Sequence, residues 1–231
     1  KIIFCEKPLG VDLHSDRKLV DLVERRGLPN AVNFPFVGSD AVNLMRRKVL
    51  DQSLGRIRGA NLKLHFSTWP RVHQRSARWL NYRRQGGFIR EVVSHFVFLI
   101  EHLFGPAKLT ENKVFYPQKK LLCETQFSAN FNCGPVDISF SGDIGRTETD
   151  LIEFTVWGSK NSLRLSNWYY LLSSKGKNWT PELTEIKDPR SRCYINTLNN
   201  LDSMIKKKSH TMASLRSALS VQEIIEKILT K

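Results

Sequence analysis

The chain has few of the sequence signals that settle a protein's class outright. Its 231 residues include four cysteines, Cys5, Cys123, Cys133 and Cys193, and no C-x-x-C. That excludes zinc-ribbon and thioredoxin-like spacing and a dense disulfide scaffold. Cys123 and Cys133 could meet across a hairpin, but buried free thiols in a reducing compartment are the expectation. No apolar run approaches the roughly 18 residues that span a bilayer, so no membrane partner is expected. The first residues lack the long apolar stretch of a secretion leader. H-E-x-x-H is missing as well, and no metal is expected. Also absent is a G-x-G-x-x-G phosphate loop; Gly142-Asp143-Ile144-Gly145 sits in a hairpin context and cannot replace it.

What is present is an ordinary soluble composition with a strong basic surplus. Hydrophobic residues make up 41% and charged residues 25%, enough for a sizeable core, and the net charge is +14. The cations are dispersed in short runs: Arg46-Arg47-Lys48, Arg83-Arg84, Lys119-Lys120 and Lys206-Lys207-Lys208. No zinc-finger spacing, RRM aromatic motif or basic-region heptad accompanies them, so no nucleic-acid partner is expected. A cytoplasmic location is expected.

The N-terminal stretch Ile2-Ile3-Phe4-Cys5 reads as a buried parallel strand, with Glu6-Lys7-Pro8 at its carboxyl end. Ligand chemistry gathers at such ends in open α/β sheets, which places Lys7 like a functional residue. Asp12 can cap a helix from about Leu13 to Arg26 that Gly27 ends, and Ala31–Phe34 reads as a second strand. One strand–helix–strand unit is too little for a doubly wound sheet, so the chain is expected to be the later part of a longer protein. Residues 1–38 are accordingly expected to be the C-terminal remnant of a Rossmann domain. Residues 39–231 form the second expected domain, which is α+β. There Ser39-Asp40 caps a helix, and alternating segments follow around Ala60–Phe66, Cys123–Phe131, Val136–Phe140 and Ile152–Val156. Tight turns between them imply a large, mostly antiparallel open sheet covered by helices on one face, with two helices closing the chain.

Between Gly86-Gly87 and Gly105-Pro106 lies a helix that is apolar nearly all round, so it should be buried. Glu91, His95 and His102 fall on one stripe of it. A carboxylate one turn before an imidazole can hold its tautomer and raise its basicity. The same pair can equally be a satisfied structural contact. Before this helix, a loop offers Trp69, Arg71, His73, Arg78, Trp79 and Tyr82, suited to sugar or phosphate binding or to packing of the loop itself.

Glu6-Lys7-Pro8, with Gly86-Gly87-x-x-x-Glu91-x-x-x-His95 further on, resembles the Gfo/Idh/MocA family, which includes glucose–fructose oxidoreductase and inositol dehydrogenase. Leu54-Gly55-Arg56-Ile57, the Trp157-Gly158-Ser159 hairpin and the tail helix with Ala218-Leu219-Ser220-Val221-Gln222 also fit, so the resemblance covers the whole chain. It implies an NAD(P)-dependent dehydrogenase or reductase that moves a hydride to or from a sugar, cyclitol or related hydroxyl or carbonyl substrate. Lys7 would lie beside the nicotinamide and the reacting oxygen, and His95 would be the general acid/base. Glu91, at the family's Asp position, would orient the imidazole. Glu6, Lys7 and Pro8 would contact NAD or NADP, and Arg78, Trp79 and Tyr82 the substrate. The open sheet face would build a homodimer or homotetramer, which the apolar strand residues would permit.

The chain departs from that pattern in three ways. Glu91 stands for Asp, Phe98 occupies a position often Asp, and the phosphate loop is missing from these residues. As given, residues 1–231 are therefore expected to be inactive without the missing cradle. The alternative is a catalytically degenerate member kept as a binding or assembly subunit.

Overall fold

The computed structural model describes residues 1–230. Its N-terminal strand β1 (Ile3–Glu6) pairs in parallel with β2 (Asn30–Asn33), and helix α1 (Leu13–Arg25) connects them. Asp12 caps α1 by accepting from the Ser15 amide at 2.8 Å. Beyond a single turn at Pro35–Gly38, α2 (Asp40–Leu50) begins behind Ser39, whose hydroxyl accepts from the Val42 amide.

The dominant element is an eight-stranded sheet. In chain order its strands are β3 (Ile57–Phe66), β4 (Lys108–Phe115), β5 (Gln126–Cys133), β6 (Val136–Ile144) and β7 (Leu151–Gly158). They continue with β8 (Ser162–Ser166), β9 (Tyr170–Ser174) and the short β10 (Thr180–Pro181). The spatial order is β10-β9-β8-β7-β3-β6-β5-β4. Every pairing is antiparallel except the central β3–β6, which is parallel from Ala60↔Ile138 to Phe66↔Ile144. That register needs a long crossover, and the chain supplies it with the helical layer and the β4–β5 hairpin. The expectation of an α/β unit joined to a large, mostly antiparallel sheet therefore agrees with the structure; the parallel centre, β4, β9 and β10 were not foreseen.

Alternation fixes the two faces. Leu62, Leu64, Phe66, Phe127, Phe131, Ile138, Phe140, Phe154 and Val156 are buried toward the helices. Fully burying one such side chain stabilises by about 1.5–3 kcal/mol. Covering them are α3 (Ser94–Phe104) and α5 (Leu215–Leu229), while α4 (Pro189–Ile205) packs on the Pro35–Gly38 turn. The outer face carries Asn61, Lys63, Gln126, Ser128, Asn130, Ser139 and Ser141. Most apolar strand residues thus point inward, and the outer face is largely polar, with Trp157 exposed on it and donating to Asn61.

The central helix also differs from its expected form. It opens as a π-helical turn over Ile89–Val93 before becoming α-helical at Ser94. The wider turn rotates Glu91 away from the stripe that a uniform 3.6-residue period assigns it. All four cysteines are free, and Cys123, Cys133 and Cys193 are buried. Among the described residues, no helix is long and apolar enough to cross a membrane.

Candidate active site

Where β1 ends, Lys7 turns inward and meets the π-helical turn. Its ammonium donates to the Glu91 backbone carbonyl at 2.6 Å and to Glu91 Oε2 at 2.9 Å. The Lys7 side chain is only 9% exposed, so it is held rather than solvated. Burial lowers its pKa, and the nearby Glu91 carboxylate opposes that shift. The other Glu91 oxygen accepts from Gln74 Nε2 at 2.9 Å, and Arg71 Nη2 stands 4.0 Å from it. Glu91 therefore orients Lys7 and Gln74. The expected Glu91–His95 pairing does not form, because the π-turn gives both carboxylate oxygens other partners.

A buried carboxylate supports the start of this helix. Gly87 sits at φ +100°, and a Cβ there would collide with the Glu124 carboxylate. Glu124 is fully buried, and its Oε1 accepts from the Ile89 amide at 2.7 Å. A carboxylate from the loop before β5 thus satisfies a donor at the helix start. Burial raises the Glu124 pKa. Nothing in the spacing of the sequence links Glu124 to Ile89, since the contact is long-range.

His95 follows on the same helix and faces a cavity of about 320 Å³. Its ring meets Phe34, Phe36 and Trp168 edge-on, with centroids 6.0, 6.1 and 5.5 Å away. The imidazole pKa lies well below 6.5, chiefly through burial and then through the cations of Lys7 and Arg71. At neutral pH it is an uncharged base. The cavity wall is completed by Arg71, His73, Trp168, Tyr169, Arg190 and Tyr194. Trp168 adopts φ +72° beside Asn167 at φ +45°, in the hairpin between β8 and β9. A bulky residue there costs about 1–3 kcal/mol and persists only where packing dictates it. Phe36, Phe96 and His95 supply that packing.

The other expected site residues lie elsewhere. Arg78, Trp79 and Tyr82 sit on or beside a short 3₁₀ turn, and Trp79 and Tyr82 are each 49% exposed. They do not line the cavity, because the close approach of Gly86 to the Trp79 and Leu80 backbone commits this turn to supporting the helix start. Glu6 is exposed and accepts from Asn33 Nδ2 at 2.9 Å; Pro8 follows Lys7 through a cis peptide. His102 leaves the expected stripe altogether. It stacks on Phe98 and borders an open crevice of about 920 Å³ with Arg46, its pKa lowered to about 4 by burial and by that arginine. Phe98 itself stacks on Phe34 at 4.5 Å, so an apolar contact fills the position where the resemblance led one to look for a carboxylate. Arg71 and His73 were visible in the sequence as loop residues. Gln74, Trp168, Tyr169, Arg190 and Tyr194 were not, since only the fold brings them near His95.

Comparison with known proteins bears on the fold. No family model matches the chain. Glucose-6-phosphate 3-dehydrogenase of Bacillus subtilis is 23% identical over 115 residues, which is 48% of this chain and 32% of that protein. The match thus spans about a third of the curated relative's length. A dehydrogenase from Clostridium difficile superposes with a TM-score of 0.79 at 15% identity, over 99% of this chain and 70% of that one. The fold is that of the Gfo/Idh/MocA oxidoreductases. Gal80p of Saccharomyces cerevisiae, in a super-repressor mutant form, shares it with a TM-score of 0.80 at 14% identity, over 99% of this chain and 69% of that one.

The described residues fit one end of a nicotinamide dinucleotide. Lys7 presents a cation beside the neutral His95, at the end of a parallel strand. For the phosphates the fit is poor: the Asp12 carboxylate already caps the N-terminus of α1, where an anion would otherwise bind.

Proposed function

We propose that this chain carries the substrate and proton-transfer portion of an NAD(P)-dependent oxidoreductase acting on the hydroxyl or carbonyl group of a sugar, cyclitol or related polyol. The observation that supports it most is the meeting of Lys7, from the end of β1, with the helix turn that carries Glu91 and His95. A substrate hydroxyl beside His95 would give its proton to the neutral imidazole. Lys7, held in place by Glu91, would favour alkoxide character on the same oxygen. Trp168, Phe36 and Tyr169 would pack the carbon skeleton and exclude water. NAD or NADP, when bound, would accept or supply the hydride, with Lys7 and Pro8 at its nicotinamide end and Glu6 nearby.

In this reading residues 1–38 belong to the dinucleotide-binding domain and residues 39–231 to the substrate domain. The parallel β1–β2 pair supports the division, because Ile2 and Phe4 are 46% and 42% exposed where parallel sheets are ordinarily covered. A homodimer or homotetramer through the outer sheet face would be held by polar contacts, and light scattering at rising salt tests it. With four free thiols, a cytoplasmic site of action suits the chain.

The function is tested on a protein that also carries the phosphate loop, by following reduction of NAD(P)+ with a panel of polyols and comparing Lys7→Met with the unsubstituted protein. Turnover lost in the variant supports the reading; turnover unchanged overturns it. A binding or assembly role without turnover is the second reading, favoured by Phe98 at a position often Asp. It predicts ligand binding with no nicotinamide reduction by either protein.

A further inference from the structure

The lining of the His95 cavity carries two arginine cations and, among the described residues, no carboxylate. Arg71, Arg190, His73, Tyr169 and Tyr194 bring donors to it, while no Asp, Glu, Asn or Gln lines it among the described residues. The neutral imidazole of His95 and the tyrosine hydroxyls can accept from a polyol hydroxyl, but the two guanidinium groups only donate. This wall suits a ligand that brings its own acceptors.

Arg71 is fixed for that task before any ligand arrives. Its Nε donates to Gln74 Oε1 at 2.9 Å, and its guanidinium lies over the Phe66 and Trp168 rings at 5.5 and 6.0 Å. Glu91 is 4.0 Å from Nη2, too far for a hydrogen bond, so the terminal N–H groups remain to be filled. Arg190 stands at the exposed mouth, 6.0 Å from the Tyr194 ring one turn along α4. The cavity, about 320 Å³, lies at the small end of the roughly 300–1,000 Å³ usual for ligand sites.

We propose that the substrate is an anionic polyol, a sugar phosphate or sugar acid, whose phosphate or carboxylate is held by Arg71 and Arg190 while its ring or chain packs on Trp168. Charge-assisted, fork-shaped recognition by arginine is the chemistry that discriminates such a group from a hydroxyl. The proposal rests on the polyol reading above and names the substrate class for that same cavity.

Calorimetric titration of the 231-residue chain with two matched pairs tests it: fructose 6-phosphate against fructose, and gluconate against glucitol. The anionic member of at least one pair should bind about tenfold or more tightly than its neutral partner. A preference in one pair alone identifies the group as phosphate or carboxylate. Arg190→Gln, at an exposed site, should remove most of that preference; Arg71→Gln, checked for folding by circular dichroism, should do the same. Equal binding within both pairs overturns the anion subsite and leaves the polyol reading standing. If none of the four binds, the polyol reading itself fails. A preference that survives both substitutions overturns the assignment to Arg71 and Arg190.

Discussion

Two of the chain's histidines, His65 and His95, lie in regions of opposite character. On the outer sheet face, His65 Nδ1 lies 2.6 Å from Asp143 Oδ1, and Arg146 binds the other Asp143 oxygen at 2.9 Å. That imidazole is 5% exposed, with Nε2 buried and unpartnered, and borders no cavity described above. In the helical layer, His95 has a carboxylate one turn away that is committed to Lys7 and Gln74, and its ring faces open space. A histidine tied to its carboxylate at the rim of a sheet serves structure. One left neutral among cations, facing a cavity, is available for proton transfer.

The largest expected contrast is kinetic. His95→Gln should lower turnover by about 10²–10⁴-fold, the usual contribution of a general acid/base, while the nicotinamide dinucleotide still binds. Steady-state rates alongside cofactor fluorescence would show it. Retained turnover would erase the distinction between the two regions. Next comes Phe98→Asp, at the position where the family resemblance implies an Asp. Here it would bury a carboxylate against Phe34 and should cost about 3–5 kcal/mol, read from denaturant unfolding. A neutral result would mean that the helix tolerates charge where the structure packs aromatic rings.

His65→Ala should cost less, about 1–3 kcal/mol, and leave turnover unchanged. A drop in turnover comparable to that of His95→Gln would place chemistry on the sheet face and break the comparison. The smallest effect is on pH. In the proposed reaction the neutral His95 would be the active form in alcohol oxidation, and the Arg71 cation disfavours its protonation. Arg71→Gln should therefore raise the His95 pKa and move the acid limb of the rate profile to higher pH, by less than about one unit.

These contrasts also show what could be read from residues alone. The strand alternation around Ala60–Phe66 and Val136–Phe140, the capped helices and the Lys7 and His95 positions are local patterns, and they were legible. The spacing of Glu91 from His95 assumes a uniform α-helix, whereas the helix opens as a π-turn over Ile89–Val93 and Glu91 meets Lys7 and Gln74 instead. Arg78, Trp79 and Tyr82 have a composition that suits sugar binding, but they do not line the His95 cavity, and the Trp79 and Leu80 backbone packs against Gly86. Trp168 and Arg190 reach His95 only through the sheet and α4, and no sequence separation announces that.

The central claim is that His95 is a neutral base held ready beside Lys7. An NMR titration of the histidine ring nitrogens tests it most directly, with His95→Gln used to assign the signal. The His95 imidazole should remain uncharged through the range around 6.5, where an ordinary histidine ionises, and protonate only well below it. Protonation at or above that value would contradict it.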